Sequence, residues 1–172
     1  MATRGASETE RLASMLRARG QRISFAESCT GGLVSSRMAA LAGVSDVFCG
    51  AVVCYTNEVK IEVLAVAPSL IRQLGAVSTS VALAMARGAK KVLRSDWSAG
   101  ITGIAGPSGG SPQKPVGTVC FGLIGPGIEW SIVQHFEGDR AAIQDQSAKF
   151  VVDAMCLALD RGLEGLNGKF RT

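Results

Sequence analysis

The sequence predicts an α/β protein, a layered α/β/α sandwich whose mixed sheet includes an antiparallel hairpin late in the chain. Helical and β-branched apolar segments alternate through the first half, which is typical of strands joined by helical crossovers. Two apolar runs on either side of Gly125-Pro126-Gly127 predict the hairpin. Because 47% of the residues are hydrophobic but only 5% are aromatic, the core must consist mainly of aliphatic side chains.

Capping and turn residues bound the predicted elements. Ser7 and Glu10 have the spacing of a capping box, and Asp139 has the position of an N-cap for the last helix. In the first part of the chain we predict a helix over residues 7–19, a strand over 23–26, a helix from 33 to about 43 and a strand over 47–55 covered on both faces. Short helices follow after 56 and from 68 to about 75, and then a long helix from 78 or 80 to about 94. In the last part we predict a strand over 97–102, a loop over 103–115, hairpin strands over 116–124 and 128–136, and a helix after 139.

The length of 172 residues, without an internal repeat or a linker, predicts one domain. We assign residues 1–172 to it, with a core over residues 7–161 and a polar tail over residues 162–172. The net charge of +4 comes from scattered basic residues, and aromatic residues are sparse, so we do not expect a nucleic-acid partner. This charge fits a weak attraction for anions such as a phosphorylated small molecule.

Cysteine and histidine counts narrow the chemistry. The five cysteines form no CxxC pair, and no signal peptide precedes Ser7, so we expect free thiols in a reducing cytoplasm. A single histidine, His135, leaves too few ligands for a Cys/His zinc site, and we expect neither a metal nor a cofactor. No apolar run is long enough to predict a membrane span.

The segment AESCTGG, residues 26–32, leads from a predicted strand into a predicted helix. Backbone N–H groups of Thr30, Gly31 and Gly32 at the positive end of that helix could hold an oxyanion, beside a nucleophile at Ser28 or Cys29. The alternative is that Ser28 or Thr30 only caps the helix, and spacing alone favours the cap.

The segment YTNEVK, residues 55–60, also follows a strand. Lys60 would fall in the first helical turn, where the helix dipole and other cations lower the pKa of an amine and make it a candidate base. Tyr55, Thr56 and Asn57 place polar side chains at the strand end, where α/β sheets bind ligands. The alternative is a solvated lysine on a helix surface.

Two further segments could bind an anion. Thr102, Gly103 and Gly106 belong to the sequence TGIAGPSGG, a loop that could offer consecutive N–H groups or could be a surface loop without a ligand. Arg140, which follows Asp139, could bind a phosphate through two hydrogen bonds or lie on the surface. A histidine base is not expected, because His135 lies in an alternating strand and no GxSxG, P-loop or GxGxxG motif is present.

Six motifs in this order, AESCTGG, YTNEVK, GAVS, ITGIAGPSGG, KPVGTV and GDR, strongly resemble the CinA C-terminal domain family. The resemblance runs from about Leu12 to Leu159. Many members carry this domain behind a larger one, and the present chain is similar to the stand-alone form that acts as nicotinamide-nucleotide amidase.

The resemblance implies hydrolysis of the carboxamide of nicotinamide mononucleotide to nicotinate mononucleotide and ammonia. It implies a nucleophile at Ser28, a base at Lys60 and a nearby Tyr55, without a metal. On this basis we expect Thr30, Gly31 and Gly32 to stabilise the oxyanion. We expect Asn57 to contact the substrate. We expect the loop from Thr102 to Gly110, which includes Gly103 and Gly106, to hold the 5′-phosphate together with Arg140.

Several alternatives remain open at this stage. Cys29 is a rival nucleophile, since thiols at helix N-termini can have a lowered pKa. The competing function is a regulatory module related to competence or DNA damage that binds a partner without catalysis. The apolar hairpin around Phe121 and Trp130 could pair with another subunit or cover its own core.

Overall fold

The computed structural model describes residues 7–170. Residues 1–6 and 171–172 of the expected domain, including the segment before Ser7 and the end of the expected tail, lie outside the described residues. The elements are α1 (Glu8–Arg19), β1 (Ile23–Glu27), α2 (Leu33–Ala39), a 3₁₀ turn (Val44–Asp46), β2 (Phe48–Val53), α3 (Asn57–Glu62), α4 (Pro68–Leu74), α5 (Thr79–Leu93), β3 (Trp97–Gly103), β4 (Thr118–Gly125), β5 (Ile128–His135) and α6 (Arg140–Lys169).

The five strands form one mixed sheet in the order β2-β1-β3-β4-β5. The strand β1 pairs in parallel with β2 and β3, whereas β3–β4 and β4–β5 are antiparallel. Helix α5 packs on β1, β3 and β4, while α6 packs on the sheet together with α1 and α2. The predicted α/β fold with a late hairpin is therefore confirmed.

The sheet separates two hydrophobic cores. Phe25 belongs to the core under α1, α2 and α6, and the next residue, Ala26, belongs to the core under α5. Consecutive strand residues point to opposite faces, so the pair shows that helices cover both sides of β1. Phe121 and Trp130 of the hairpin are also buried in the first core, so these rings cover the protein's own interior.

Helix α5 packs closely on the sheet at two strand positions that are glycine. A Cβ at Gly100 would lie 2.1 Å from the carbonyl oxygen of Ala82, and one at Gly122 would lie 2.5 Å from the N–H nitrogen of Leu83. A side chain at either position would collide with the helix backbone. Gly100 therefore allows the close approach of α5 to β3, and Gly122 allows its close approach to β4.

Local capping signals predicted the helix starts correctly. Ser7 and Glu10 form the capping box of α1, and the side chains of Ser78 and Asp139 accept hydrogen bonds from the first turns of α5 and α6. The side chain of Thr56 caps α3 in the same way.

Three expectations about element boundaries and burial were wrong. Strand β2 was expected to be covered on both faces, but its residues are only half-buried and the last one, Val53, is 48% exposed. The strand lies at the edge of the sheet, and an apolar run does not reveal this position. Helix α2 ends at Ala39 rather than near Gly43, and a 3₁₀ turn follows. The expected polar tail is helical as far as Lys169, with a kink at Gly162, and its Leu166 is fully buried.

The carboxyl ends of β1, β2 and β3 lie along the same edge of the sheet. The connection after β1 runs through α2 on one face, whereas α5 leads into β3 from the other face. In open α/β sheets a ligand crevice forms where the connections diverge in this way.

Candidate active site

One cavity of about 200 Å³ opens at this edge of the sheet. It brings together seven of the predicted site residues: Ser28, Tyr55, Asn57, Lys60, Thr102, Gly103 and Arg140. The wall is completed by Cys29, Ala76, Val77 and Ala105. The predicted residues Thr30, Gly31, Gly32 and Gly106 are not among the lining residues. Side chains from distant parts of the sequence thus share one concave site.

Ser28 is the first residue after β1 and is held by backbone hydrogen bonds. Its N–H donates to the carbonyl oxygen of Ile101 in β3 (3.0 Å), and its carbonyl oxygen accepts from the N–H of Gly31 (3.1 Å). The turn places Gly31 and Gly32 at φ of +62° and +97°, a region that favours glycine. The turn therefore keeps Ser28, which is 9% exposed, at the cavity wall.

Lys60 reaches from α3 to the Ser28 hydroxyl. Its Nζ lies 3.1 Å from Ser28 Oγ, 2.7 Å from the carbonyl oxygen of Cys54 and 3.4 Å from the carbonyl oxygen of Tyr55. A neutral amine has two N–H donors and one lone pair. If the two carbonyl oxygens accept the N–H groups, the lone pair faces the Ser28 hydroxyl, which is the arrangement of a base and its nucleophile.

Burial lowers the pKa of Lys60 from its ordinary value of 10.5. The residue is 1% exposed, and loss of water disfavours the charged ammonium. The nearby ionisable groups Cys54, Cys29 and Glu58 act in the opposite direction. The sequence predicted a lowered pKa from a helix dipole and neighbouring cations, but the physical cause in the structure is burial.

The carboxylate of Glu27, the last residue of β1, occupies the N-terminus of α2. It accepts hydrogen bonds from the N–H groups of Gly32, Val34 and Ser35 (3.1, 3.2 and 2.8 Å), and from the hydroxyls of Thr30 (2.7 Å) and Ser35. Glu27 is fully buried. An internal anion therefore takes the place that the sequence offered to a ligand.

These contacts change which N–H groups can stabilise an oxyanion. The N–H of Gly31 donates to Ser28 and the N–H of Gly32 donates to Glu27, so both are engaged inside the protein. The N–H groups of Cys29 and Thr30 have no partner among residues 7–170. Of the three N–H groups that the sequence predicted for the oxyanion, only that of Thr30 is available. The N–H of Cys29 is also available, but the sequence did not predict it.

Cys29 lies beside Ser28, where a nucleophile would lie, but its thiol is not ionised as a nucleophile requires. Burial raises the pKa of its thiol to about 12, and the carboxylate of Glu27 acts in the same direction. At neutral pH the group is therefore a thiol rather than the reactive thiolate. The lowered pKa that a helix N-terminus could provide is not found, because burial raises the pKa and the carboxylate of Glu27, which occupies that N-terminus, raises it further.

Tyr55 and Arg140 meet where the cavity reaches the surface. One guanidinium nitrogen of Arg140 donates to the Tyr55 hydroxyl (2.5 Å), and another donates to the carbonyl oxygen of Gly106 (2.8 Å). Tyr55 contacts Lys60 through its backbone carbonyl oxygen, and the residue as a whole is 56% exposed. The side chain of Asn57 is also exposed at the cavity.

The wall formed by Ala76 and Val77 is held by two side chains. The hydroxyl of Thr102, which we expected to contact the substrate, donates to the carbonyl oxygen of Ala76 (2.9 Å). Lys114 donates to the carbonyl oxygens of Leu74 (2.9 Å) and Val77 (2.6 Å). The motifs GAVS and KPVGTV are thereby joined, although the sequence assigned neither of them a place in the site.

His135 lies on the edge strand β5, is exposed and does not line the cavity. Among residues 7–170 there is no group of three or more His, Cys, Asp or Glu side chains that could hold a metal ion. Within the same residues, no helix combines the length and the apolar character that crossing a membrane requires.

The fold and the site define an α/β/α protein with a buried Ser–Lys pair at the carboxyl ends of parallel strands. The sequence profile of the CinA C-terminal domain matches residues 6–159. The chain belongs to this family, and the predicted resemblance is confirmed.

Longer relatives share the same segment. The chain is 49% identical over 133 residues to a CinA-like protein from Fervidobacterium nodosum, an alignment that covers 77% of this chain and 33% of the relative. It is 47% identical over 165 residues to a CinA-like protein from Mycobacterium tuberculosis, covering 95% of this chain and 37% of the relative. The chain thus spans about a third of the length of these curated relatives.

Solved structures share the fold over most of this chain. A competence-damaged protein (CinA) superfamily protein from Klebsiella pneumoniae superposes with a TM-score of 0.86 at 33% identity, covering 89% of this chain and 96% of that one. The corresponding superfamily protein from Escherichia coli gives a TM-score of 0.80 at 31% identity, covering 86% and 87% of the two chains.

Proposed function

We propose that the protein deamidates nicotinamide mononucleotide to nicotinate mononucleotide and ammonia, with Ser28 as nucleophile and Lys60 as base. The observation that carries this proposal is the 3.1 Å contact between Ser28 Oγ and a buried lysine nitrogen whose pKa is lowered. The substrate is proposed from the motifs that resemble nicotinamide-nucleotide amidases. The free thiols of the described residues are compatible with a cytoplasmic location.

The reaction proceeds as an acyl transfer. The neutral amine of Lys60 takes the proton of the Ser28 hydroxyl, and Oγ forms a bond to the carboxamide carbon. When the tetrahedral intermediate collapses, the C–N bond breaks and Lys60 returns a proton to the leaving ammonia. A water molecule then gives a proton to Lys60 and its oxygen forms a bond to the acyl carbon. The C–Oγ bond breaks as Lys60 returns that proton to Ser28 Oγ, which releases nicotinate mononucleotide and restores the Ser28 hydroxyl and the neutral amine.

The carboxamide oxygen gains negative charge at the tetrahedral stage. The N–H groups of Cys29 and Thr30 are the available donors next to Ser28, and the N–H that follows the nucleophile serves this purpose in α/β-hydrolases. We assign the oxyanion to these two groups in place of Gly31 and Gly32, whose N–H groups are engaged.

The outer part of the cavity suits the remainder of the nucleotide. A volume of about 200 Å³ is smaller than the roughly 300–1,000 Å³ of most small-molecule sites, so the cavity encloses the carboxamide-bearing ring and leaves the phosphate at its entrance. Arg140 supplies the cation for the phosphate, and Asn57 and Gly103 contact the ribose side. Tyr55 orients Lys60 through its carbonyl oxygen.

The test is release of ammonia from nicotinamide mononucleotide by the purified protein in the presence of a chelator. We expect turnover by the wild type and a loss of at least about 10³-fold in kcat for Ser28→Ala and for Lys60→Met. Matched controls are Ser36→Ala, at an exposed serine of α2, and Lys91→Met, at an exposed lysine of α5.

Two results would contradict the proposal. Absence of ammonia release would remove the activity. Turnover that requires an added metal ion, or that survives in Ser28→Ala, would leave the activity but remove the Ser–Lys mechanism.

A further inference from the structure

Helix α6 contacts the candidate site through two side chains that lie one turn apart. Arg140 binds Tyr55 and Gly106, as described above, and Gln144 donates from Nε2 to the carbonyl oxygen of Cys29 at 2.7 Å. Cys29 and Gln144 are 115 positions apart in the sequence. The contact therefore joins the last helix to the residue that directly follows Ser28.

We propose that Gln144 is a positioning residue for the acyl transfer, because it fixes the orientation of the peptide unit between Cys29 and Thr30. This inference rests on the proposed function and extends it to a residue that does not line the cavity. Gln144 acts on the oxyanion through the Thr30 N–H and touches neither the substrate nor the Ser28 hydroxyl.

The geometry of a peptide unit supports this role. The bond between Cys29 and Thr30 is trans, so the carbonyl group of Cys29 and the N–H of Thr30 point in opposite directions. A hydrogen bond that holds the carbonyl therefore also sets the direction of the N–H. The Thr30 hydroxyl is bound to Glu27 at 2.7 Å, so the peptide unit is restrained on both sides.

Loss of Gln144 would release one of these two restraints. The peptide unit could then rotate without breaking the contacts of Glu27 to α2 or those of Ser28 to Ile101. An oxyanion donor contributes only if it already points to the developing charge. Binding of the ground-state amide depends less on this direction, so the effect should fall on kcat rather than on KM.

The chain provides a matched control in the same helix. Gln146 also donates from Nε2 to backbone carbonyl oxygens, those of Glu137 (2.7 Å) and Ala142 (3.1 Å). None of these three residues lines the cavity. Replacement of Gln146 therefore removes the same chemical group from α6 without touching the turn after β1.

The experiment compares Gln144→Ala, Gln144→Glu and Gln146→Ala with the wild type in the ammonia-release assay. We expect kcat to fall about 10- to 100-fold in both Gln144 variants, with KM changed less than about threefold, because neither alanine nor a carboxylate can donate to the carbonyl oxygen. Gln146→Ala should retain wild-type kcat. The inference is overturned if kcat is unchanged in Gln144→Ala, if only KM changes, or if Gln146→Ala loses as much.

A second readout separates this inference from the proposed substrate. A fluorophosphonate probe forms an Oγ–P bond with an activated serine while the P–F bond breaks, fluoride leaves and the serine proton passes to the base. The phosphoryl oxygen uses the same oxyanion donors. If the wild type does not hydrolyse nicotinamide mononucleotide, the proposed function fails, and the rate of Ser28 phosphonylation followed by intact mass still tests Gln144.

In that assay we expect Gln144→Ala to react at least about 10-fold more slowly than the wild type and Gln146→Ala. Equal rates in all three proteins would overturn the inference. A wild type that neither hydrolyses nicotinamide mononucleotide nor is labelled would also overturn it, because the turn after β1 would then provide no activated serine for Gln144 to support.

Discussion

Replacement of Glu27 by glutamine should destabilise the protein, because its carboxylate is the acceptor for a full set of donors. One oxygen accepts the N–H and the hydroxyl of Ser35, and the other accepts the Thr30 hydroxyl and the N–H groups of Gly32 and Val34. An amide has one oxygen and one NH₂ group, and it can satisfy only one of these two sets.

The free-energy cost follows from the better of the two amide orientations. The amide oxygen replaces the carboxylate oxygen that has three donors, and the NH₂ group then faces Ser35. The Ser35 hydroxyl can rotate and accept a hydrogen bond from the NH₂ group. The backbone N–H of Ser35 is then left without an acceptor, at a cost of about 1–3 kcal/mol. Loss of the negative charge at the N-terminus of α2 adds about 1 kcal/mol, for a total of about 2–4 kcal/mol.

Urea unfolding and thermal melting measure this difference. A loss of about 2–4 kcal/mol is smaller than the roughly 5–15 kcal/mol of a typical domain, so Glu27→Gln should fold and melt about 4–16 °C lower. The control is Glu129→Gln, which removes the charge of an exposed partner of Arg87 and should cost less than about 1 kcal/mol. For a domain of this size, a loss of 1 kcal/mol lowers the melting temperature by at least about 2 °C. If the two variants melt within about 2 °C of each other, the Glu27 carboxylate does not stabilise the turn after β1.

Three further outcomes are expected. Because burial lowers the pKa of Lys60, kcat/KM should rise with pH as the neutral amine forms and should level off below the pH at which a free lysine titrates; a flat profile would exclude Lys60 as the base. With a pKa of about 12, Cys29 should resist alkylation at neutral pH, and Cys29→Ala should retain activity within about 10-fold. Inactivation by a thiol reagent that modifies Cys29, together with an inactive Cys29→Ala, would reverse this assignment. In a urea titration, Gly100→Ala should lower the free energy of unfolding by about 3 kcal/mol or more, since its Cβ would lie 2.1 Å from the Ala82 carbonyl oxygen. The control is Gly168→Ala, whose Cβ would meet no atom within 4 Å and which should leave the free energy of unfolding unchanged or raise it.

The helix starts could be predicted because capping depends on residues close together in the sequence. Ser7, Ser78 and Asp139 each accept a hydrogen bond from an N–H three residues further on, so the signal lies within one turn. The position of β2 at the edge of the sheet could not be predicted in this way. It depends on which strands pair, and the apolar pattern of a strand does not specify its neighbours.

Glu27 and Gln144 show why part of the site was missed. The sequence AESCTGG contains Glu27, but nothing in it indicates that the carboxylate turns inward and engages α2. Gln144 lies in a helix that follows the hairpin, and its contact with Cys29 exists only because α6 packs beside α2 on the same face of the sheet. Neither contact leaves a periodic or spacing signal.

By itself, the sequence determined the alternation of helices and strands, the strand ends that carry polar groups, and the candidates Ser28 and Lys60, because short-range patterns encode these features. The tertiary structure alone decided the chemical state of the candidates. It buries Lys60 so that its pKa falls, buries Cys29 so that its pKa rises, and uses Glu27 to occupy the end of α2. Burial and electrostatic surroundings arise from residues that are distant along the chain and meet only when the helices pack on the sheet.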